Sequence, residues 1–139
     1  MKAKTALSIL VFLALGLSVA CSKSSPTAPT PTPVTYTVAI TPTASTLTFK
    51  AGAGAPLTFT ARITGSDGTT VAPSASDAVV ITFGTSGVAT ATMQTPVATS
   101  TSLIQTVSFG GTKVGTTTAT ATMSNPKYVG NVTVTIVVQ

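Results

Sequence analysis

The chain has 139 residues, with seven Lys or Arg, two Asp or Glu, no His and no Trp, and a formal charge of +5. Its carboxylate side chains are Asp67 and Asp77 and its one thiol is Cys21, so the usual groups for acid–base catalysis and for transition-metal binding are almost missing. No enzymatic activity, no metal site and no cofactor is expected.

The amino terminus carries Lys2 and Lys4, then an uncharged apolar run from Thr5 to Ala20, closing on Leu17-Ser18-Val19-Ala20-Cys21. A basic start, an apolar stretch and a small residue before the cut make a secretory signal. The run is shorter than the ~20 residues a membrane-spanning helix needs. An ordinary secretory signal cut nearby would leave Cys21 as a free thiol. The layout, however, resembles a bacterial lipoprotein signal peptide over residues 1–20. Ala20 matches the lipobox, and Ser18 fits its looser form. The resemblance implies that the Cys21 thiol receives a diacylglycerol, that signal peptidase II cuts before it, and that the new amine is acylated, as with palmitate. Each buried methylene contributes ~0.8 kcal/mol, so two or three acyl chains anchor stably where one is marginal. Ser22 stands where Asp would favour retention in the inner membrane. The expected address is therefore the outer membrane, or the extracytoplasmic face of the plasma membrane in a cell without one. A lipidated Cys21 is neither a nucleophile nor half of a disulfide.

Residues 21–33 are expected to be the lipidated cysteine and a spacer. Ser22 to Pro33 reads SKSSPTAPTPTP, with no aromatic or large aliphatic residue to pack a core. Pro26, Pro29, Pro31 and Pro33 favour polyproline II, at ~3.1 Å per residue. Such a semi-rigid segment holds whatever follows away from a lipid surface.

From Val34 to Gln139 the pattern has period two, and the abundance of Thr favours strands over helices. Tyr36, Val38 and Ile40 alternate with Thr35, Thr37 and Ala39, up to Thr41-Pro42. Leu47 and Phe49 come next, then Leu57, Phe59, Ala61 and Ile63 form an inward row opposite Thr58, Thr60 and Arg62. Gly65-Ser66-Asp67-Gly68 reads as a turn. Val79, Ile81 and Phe83 make another inward row, broken by Gly84 to Gly87, and Val88 to Gln94 alternates weakly. Around Leu103, Gln105 and Val107 the inward face is ambiguous, because Ile104 sits on the opposite phase. Gly110-Gly111 turns the chain. Ala119, Ala121 and Met123 alternate with Thr118, Thr120 and Thr122, Asn125-Pro126 marks a turn, and Val132, Val134, Ile136 and Val138 close the series. Short strands at this spacing predict an all-β, antiparallel sandwich of seven or eight strands. A domain of ~100 residues without a disulfide must rest on its hydrophobic core.

Several of these segments resemble a bacterial immunoglobulin-like domain of group 2, the type repeated in intimin- and invasin-like surface proteins. They are VAITP (38–42), TLTFKAG (46–52), PLTFTARI (56–63) with its following turn, VITFGTSGVATAT (80–92), GTTTATAT (115–122) and VTVTIV (132–137). The resemblance implies an immunoglobulin-like sandwich over 34–139, with Phe83 in the place of a core Trp. Residues 94–112 make a longer stretch than that family has there. The implied role is adhesion, scaffolding or protein–protein contact at the cell surface; the alternative is a carbohydrate- or ligand-binding module.

Other candidate sites have plainer readings. Asp67 belongs to a turn, since a Ca²⁺ site wants several oxygen ligands and Asp77 is the one other acid. Asp77 is expected in a solvated loop. Tyr36 and Tyr128 are expected to cover core edges with their hydroxyls wet. Asn131-Val132-Thr133 matches a glycosylation pattern incidentally. The terminal strand Val132–Val138 would accept a partner strand if it lay at a sheet edge, but is expected to pair within the sandwich. Lys23, Lys50, Arg62, Lys113 and Lys127 are scattered, so no nucleic-acid partner is expected. The expected partners are the membrane, through Cys21, and an envelope or extracellular protein.

Overall fold

A computed structural model describes residues 30–139. The leader, Cys21 and the spacer as far as Pro29 lie outside the described residues. Thr30 to Thr35 are exposed and without regular secondary structure.

Alternating Thr and apolar residues give strands throughout. They are β1 (Tyr36–Pro42), β2 (Thr46–Phe49), β3 (Gly54–Gly65), β4 (Thr70–Val71), β5 (Val79–Phe83), β6 (Ala89–Met93), β7 (Val97–Ala98), β8 (Leu103–Gly111), β9 (Gly115–Met123), β10 (Tyr128–Val129) and β11 (Asn131–Val138). Among the described residues there is no helix. Three of the eleven, β4, β7 and β10, are two residues long. The other eight are the strands that the alternation predicts.

One sheet runs β10-β1-β3-β8-β6, with β4 on β3 and β7 on β8, and the other runs β2-β11-β9-β5. The long strands thus take the order A-B-E-D in one layer and C-F-G in the other, the immunoglobulin arrangement. Most pairings are antiparallel. Two are parallel, β1 with β10 and β2 with β11, so the sheets are mixed. Both arise where the chain changes layer. After β1, the residues 43–45 carry it to β2 in the opposite sheet, and Gly130 carries it from β10 to β11. These crossings put a short strand beside one margin of each sheet, against Tyr36 and Thr37 of β1 and Thr135–Val138 of β11, where bare backbone would otherwise invite another chain.

The inward rows meet as period two requires. Phe59, Ala61 and Ile63 from β3, Leu103 and Val107 from β8, Ala119 and Ala121 from β9, and Val134 and Ile136 from β11 are fully buried. Phe83 is half-buried and meets Phe109 edge-on across the layers, with centroids 6.2 Å apart at 84°. That contact fills the place in which the resemblance implies a Trp. The terminal strand β11 lies between β2 and β9, paired along its length by β9 and over Thr135–Val138 by β2.

The long stretch after Met93 is one edge strand with an insertion. Met93 pairs with Val107 and Val97 with Ile104, so four steps on one strand face three on the other. The extra residue is a bulge. Pro96, which has no N–H to give a ladder, falls within it. β7 then resumes the pairing, and residues 99–102 form the hairpin turn around the Thr99 hydroxyl, which accepts from Ser102 N at 3.0 Å.

Candidate interaction surfaces

No group of three or more His, Cys, Asp or Glu side chains is gathered among the described residues. What the fold displays are two outer sheet faces and two poles.

The pole at which β1 begins is tied together by polar groups. Asp77 is only 2% exposed. Its carboxylate accepts from Ser74 N at 2.8 Å and from Asn125 Nδ2 at 3.3 Å. Next to it, Ser124 Oγ accepts from Ala78 N at 3.0 Å, and Ser124 N donates to Ala78 O at 2.8 Å. The expectation of a solvated Asp77 is therefore corrected. Its carboxylate is a buried acceptor that joins the loop before β5 to the turn after β9. A sequence signal existed in Ser74-Ala75-Ser76-Asp77, where an Asp follows a Ser by three residues, but Asn125 as its other partner is 48 positions away.

Asp67 closes the turn after β3. Its Oδ1 accepts from Thr69 N at 3.0 Å and from Thr69 Oγ1 at 2.7 Å. Gly68 supplies the positive φ of 81° that the turn requires. Hydrogen bonds from the Thr69 hydroxyl, then from its amide, hold the Asp67 carboxyl below its ordinary value of 3.8. A depressed acid stabilises the fold above its unfolded-state pKa, and that contribution is lost as pH falls through the folded-state value. Asp67 is thus expected to titrate below 3.8 by carboxyl-carbon NMR. Thr69→Val should move it back up, and an unchanged value would refute the hydroxyl's role.

Tyr36 and Tyr128 meet at this same pole, edge-on, with centroids 6.1 Å apart at 85°. Tyr128 is buried and Tyr36 half-buried, in keeping with rings that cover the core margin. The Lys127 ammonium stands 4.7 Å from the Tyr128 centroid and 5.7 Å from that of Tyr36. These distances are within cation–π range. The rings already serve a cation of their own chain, which leaves less free ring face for stacking a sugar.

On the outer face of the first sheet, Val97 and Ile104 are paired and exposed by 60% and 38%. Around them stand Thr41 and Thr60 in the same rank, then Arg62 and Pro56. The outer face of the second sheet is more uniform. In β9 every outward residue is Thr: 116, 118, 120 and 122. Across the ladder, Thr120 faces Thr82 on one side and Thr133 on the other. Thr118 faces Thr135, which in turn faces Thr46. Thr120 and Thr133 hydroxyls are 3.4 Å apart. No ionisable side chain stands on this face.

Sequence reasoning missed Gln105, the main polar group between the layers. It is 2% exposed. Its Oε1 accepts from Val79 N at 2.6 Å, and its Nε2 donates to Gln94 O at 2.9 Å. One side chain therefore joins the start of β5, in one sheet, to the bulge beside β8 in the other.

No family model matches the sequence, and no curated protein matches it. Solved structures do. Domains 4 and 5 of the S-layer protein SbsC align with a TM-score of 0.50 and 21% identity, over 72% of this chain and 50% of that one. A second structure of that protein, domains 4–9, aligns with a TM-score of 0.51 and 20% identity, over 73% of this chain and 14% of that one. The chain spans half or less of the S-layer chains it matches. At this identity the likeness shows the fold alone, a β-sandwich.

Proposed function

We propose that this protein is a lipoprotein of the cell envelope that displays one immunoglobulin-like domain for adhesion, scaffolding or contact with another envelope or extracellular protein. The observation that carries this reading is the order of parts: an apolar leader ending in Cys21, a Pro/Ser/Thr spacer, and a β-sandwich. The lipid would hold Cys21 in the membrane, in the outer membrane where the cell has one, and the spacer would lift the domain clear. The S-layer likeness supports a surface setting. The poverty in catalytic side chains supports a presenting role over an enzymatic one. No nucleic-acid partner is proposed.

Cys21→Ala is the direct test. The natural protein should sediment with membranes and incorporate an alkyne-labelled fatty acid. The variant should lose the label and leave the membrane fraction. Equal partition of both forms, with no label in either, would remove the anchor from the proposal.

A further inference from the structure

The margin of β5 away from β9 is a strand edge whose groups match those of a second copy of itself. Ser124 N donates to Ala78 O, and Gly84 N donates to Thr118 O. In an antiparallel ladder such bonds fall on alternate residues. Ala78, Val80, Thr82 and Gly84 therefore bond toward β9, and the backbone groups of Val79, Ile81 and Phe83 point the other way. Gln105 Oε1 takes the Val79 amide. Among the described residues, no strand pairs with Ile81 or Phe83 on that side.

The side chains are incompletely covered in the same place. On β9 the inward residues from Thr117 to Met123 are buried, whereas on β5 Ile81 and Phe83 point inward and stay half-buried. Val80, on the outward side, is 37% exposed. Other margins carry devices that oppose pairing. β10 is two residues long, β2 is four with Lys50 next to it, and β6 runs into the bulge with Pro96. The Val79–Phe83 strand has no charge, no Pro and no bulge, and an edge of that kind is a template for another strand.

We propose that two copies of the domain join through their β5 strands, antiparallel about a two-fold axis at Ile81. The hydrogen-bond phase fits this axis. Each Ile81 exchanges both backbone bonds with Ile81 of the second copy, and each Phe83 N–H reaches Val79 O of the second copy. The Val79 N–H, held by Gln105, is not called upon. Inside, Ile81 covers Ile81 and Phe83 covers Val79. Outside, Val80 stands against Thr82. A foreign strand would meet the amides, but a second copy also supplies the apolar inward row in the register the axis demands. The symmetric contact uses up the same edge on both copies, so it closes at two. It is narrow, hence weak in dilute solution, and it gains where molecules are held on one surface. The proposal goes beyond envelope display and does not rest on the anchor.

The test uses the full chain in detergent micelles. Val80 of one copy and Thr82 of the other form a non-hydrogen-bonded pair, with Cα atoms about 4.5 Å apart, within disulfide reach. The double variant Val80→Cys/Thr82→Cys should therefore give a dimer on mild oxidation, and the mass of the linked peptide should place the bond between positions 80 and 82 and separate it from any bond through Cys21. Thr90→Cys/Thr92→Cys, outward on β6, should stay monomeric under the same conditions. Should the cysteine variants fail to fold, the natural chain carries the test: sedimentation equilibrium at rising concentration should show reversible dimers, weakened about tenfold by Thr82→Lys, because an edge lysine opposes strand pairing. Equal cross-linking of the two cysteine pairs would overturn the proposal. So would dimers that Thr82→Lys leaves as strong, or a natural chain that stays monomeric, whether or not a foreign extended peptide adds to this edge.

Discussion

Gln105→Ala is expected to destabilise the domain by about 3 kcal/mol, although the residue lies far from any surface. The Val79 amide that donates to Gln105 Oε1 belongs to a fully buried residue. Losing its acceptor leaves a buried donor unpaired, at a cost of about 1–3 kcal/mol. Truncation also opens a cavity between the sheets, and large-to-small changes in a core add to the loss. A domain of this size should lose about 4–8 °C of Tm for each kcal/mol. Gln105→Leu separates the two contributions, because it restores volume and leaves the amide unpaired; it should recover part of the loss only. Gln105→Glu adds a pH signature. Burial disfavours the charged carboxylate and raises its folded-state pKa above the unfolded ~4.3. The protonated acid can still donate to Gln94 O, so this variant should be most stable in acid and weaken as pH rises through that interval. Equal melting temperatures for the natural protein and the Leu variant would show that the amide bridge contributes nothing.

Gln105 also shows where reading the sequence runs out. Most strands are legible, because one face of each is apolar and the other is Thr: Leu57, Phe59, Ala61 and Ile63 against Thr58, Thr60 and Arg62 is the clearest case. In β8 the same logic gives an unclear phase, since Gln105 interrupts the inward row and Ile104 is apolar on the outward one. Over the whole of β8 the inward row is Leu103, Gln105, Val107 and Phe109, three of the four large and apolar. The bulge before β7 was not legible, because it depends on a register with β8 and not on local alternation. Asp77 departs from its expected solvated place for a related reason. A lone carboxylate among Ser and Ala looks solvated, and only the fold brings Asn125 to it. The parallel pairings of β2 and β10 leave no local mark either. The outward Thr residues of the second sheet, by contrast, show as alternation in each strand separately, but which of them stand side by side follows only from the pairing of β5, β9, β11 and β2.

The layer change at Gly130 gives the second large effect. Val129 still belongs to the strand beside β1, where it pairs with Thr37, while Asn131 already pairs with Thr122 in the other sheet. One residue must therefore pass between the layers close against β1. A Cβ added at Gly130 would run into the backbone carbonyl oxygen of Val38, with the Val38 side chain also too near at 2.9 Å. The obstacle is backbone in a paired strand, so it cannot swing aside as a flexible side chain would. The φ of 154° adds a conformation that residues with a Cβ rarely adopt. Gly130→Ala is expected to cost at least about 4 kcal/mol, in the range reached when a special backbone position is lost. Gly68→Ala is the informative comparison. Its φ is also positive, but nothing lies within 4 Å of the added methyl, so it should carry only the conformational penalty, about 1 kcal/mol. Urea titrations of the two variants should therefore differ severalfold in lost stability. Similar losses would mean that strain at φ, and not the approach to Val38, sets the requirement for glycine. A Gly130→Ala loss confined to β10, seen as fast amide exchange at Tyr128 and Val129 with β11 still protected, would locate the relief in that short strand: the chain would keep its second sheet and give up the β1–β10 pairing at Tyr36 and Thr37.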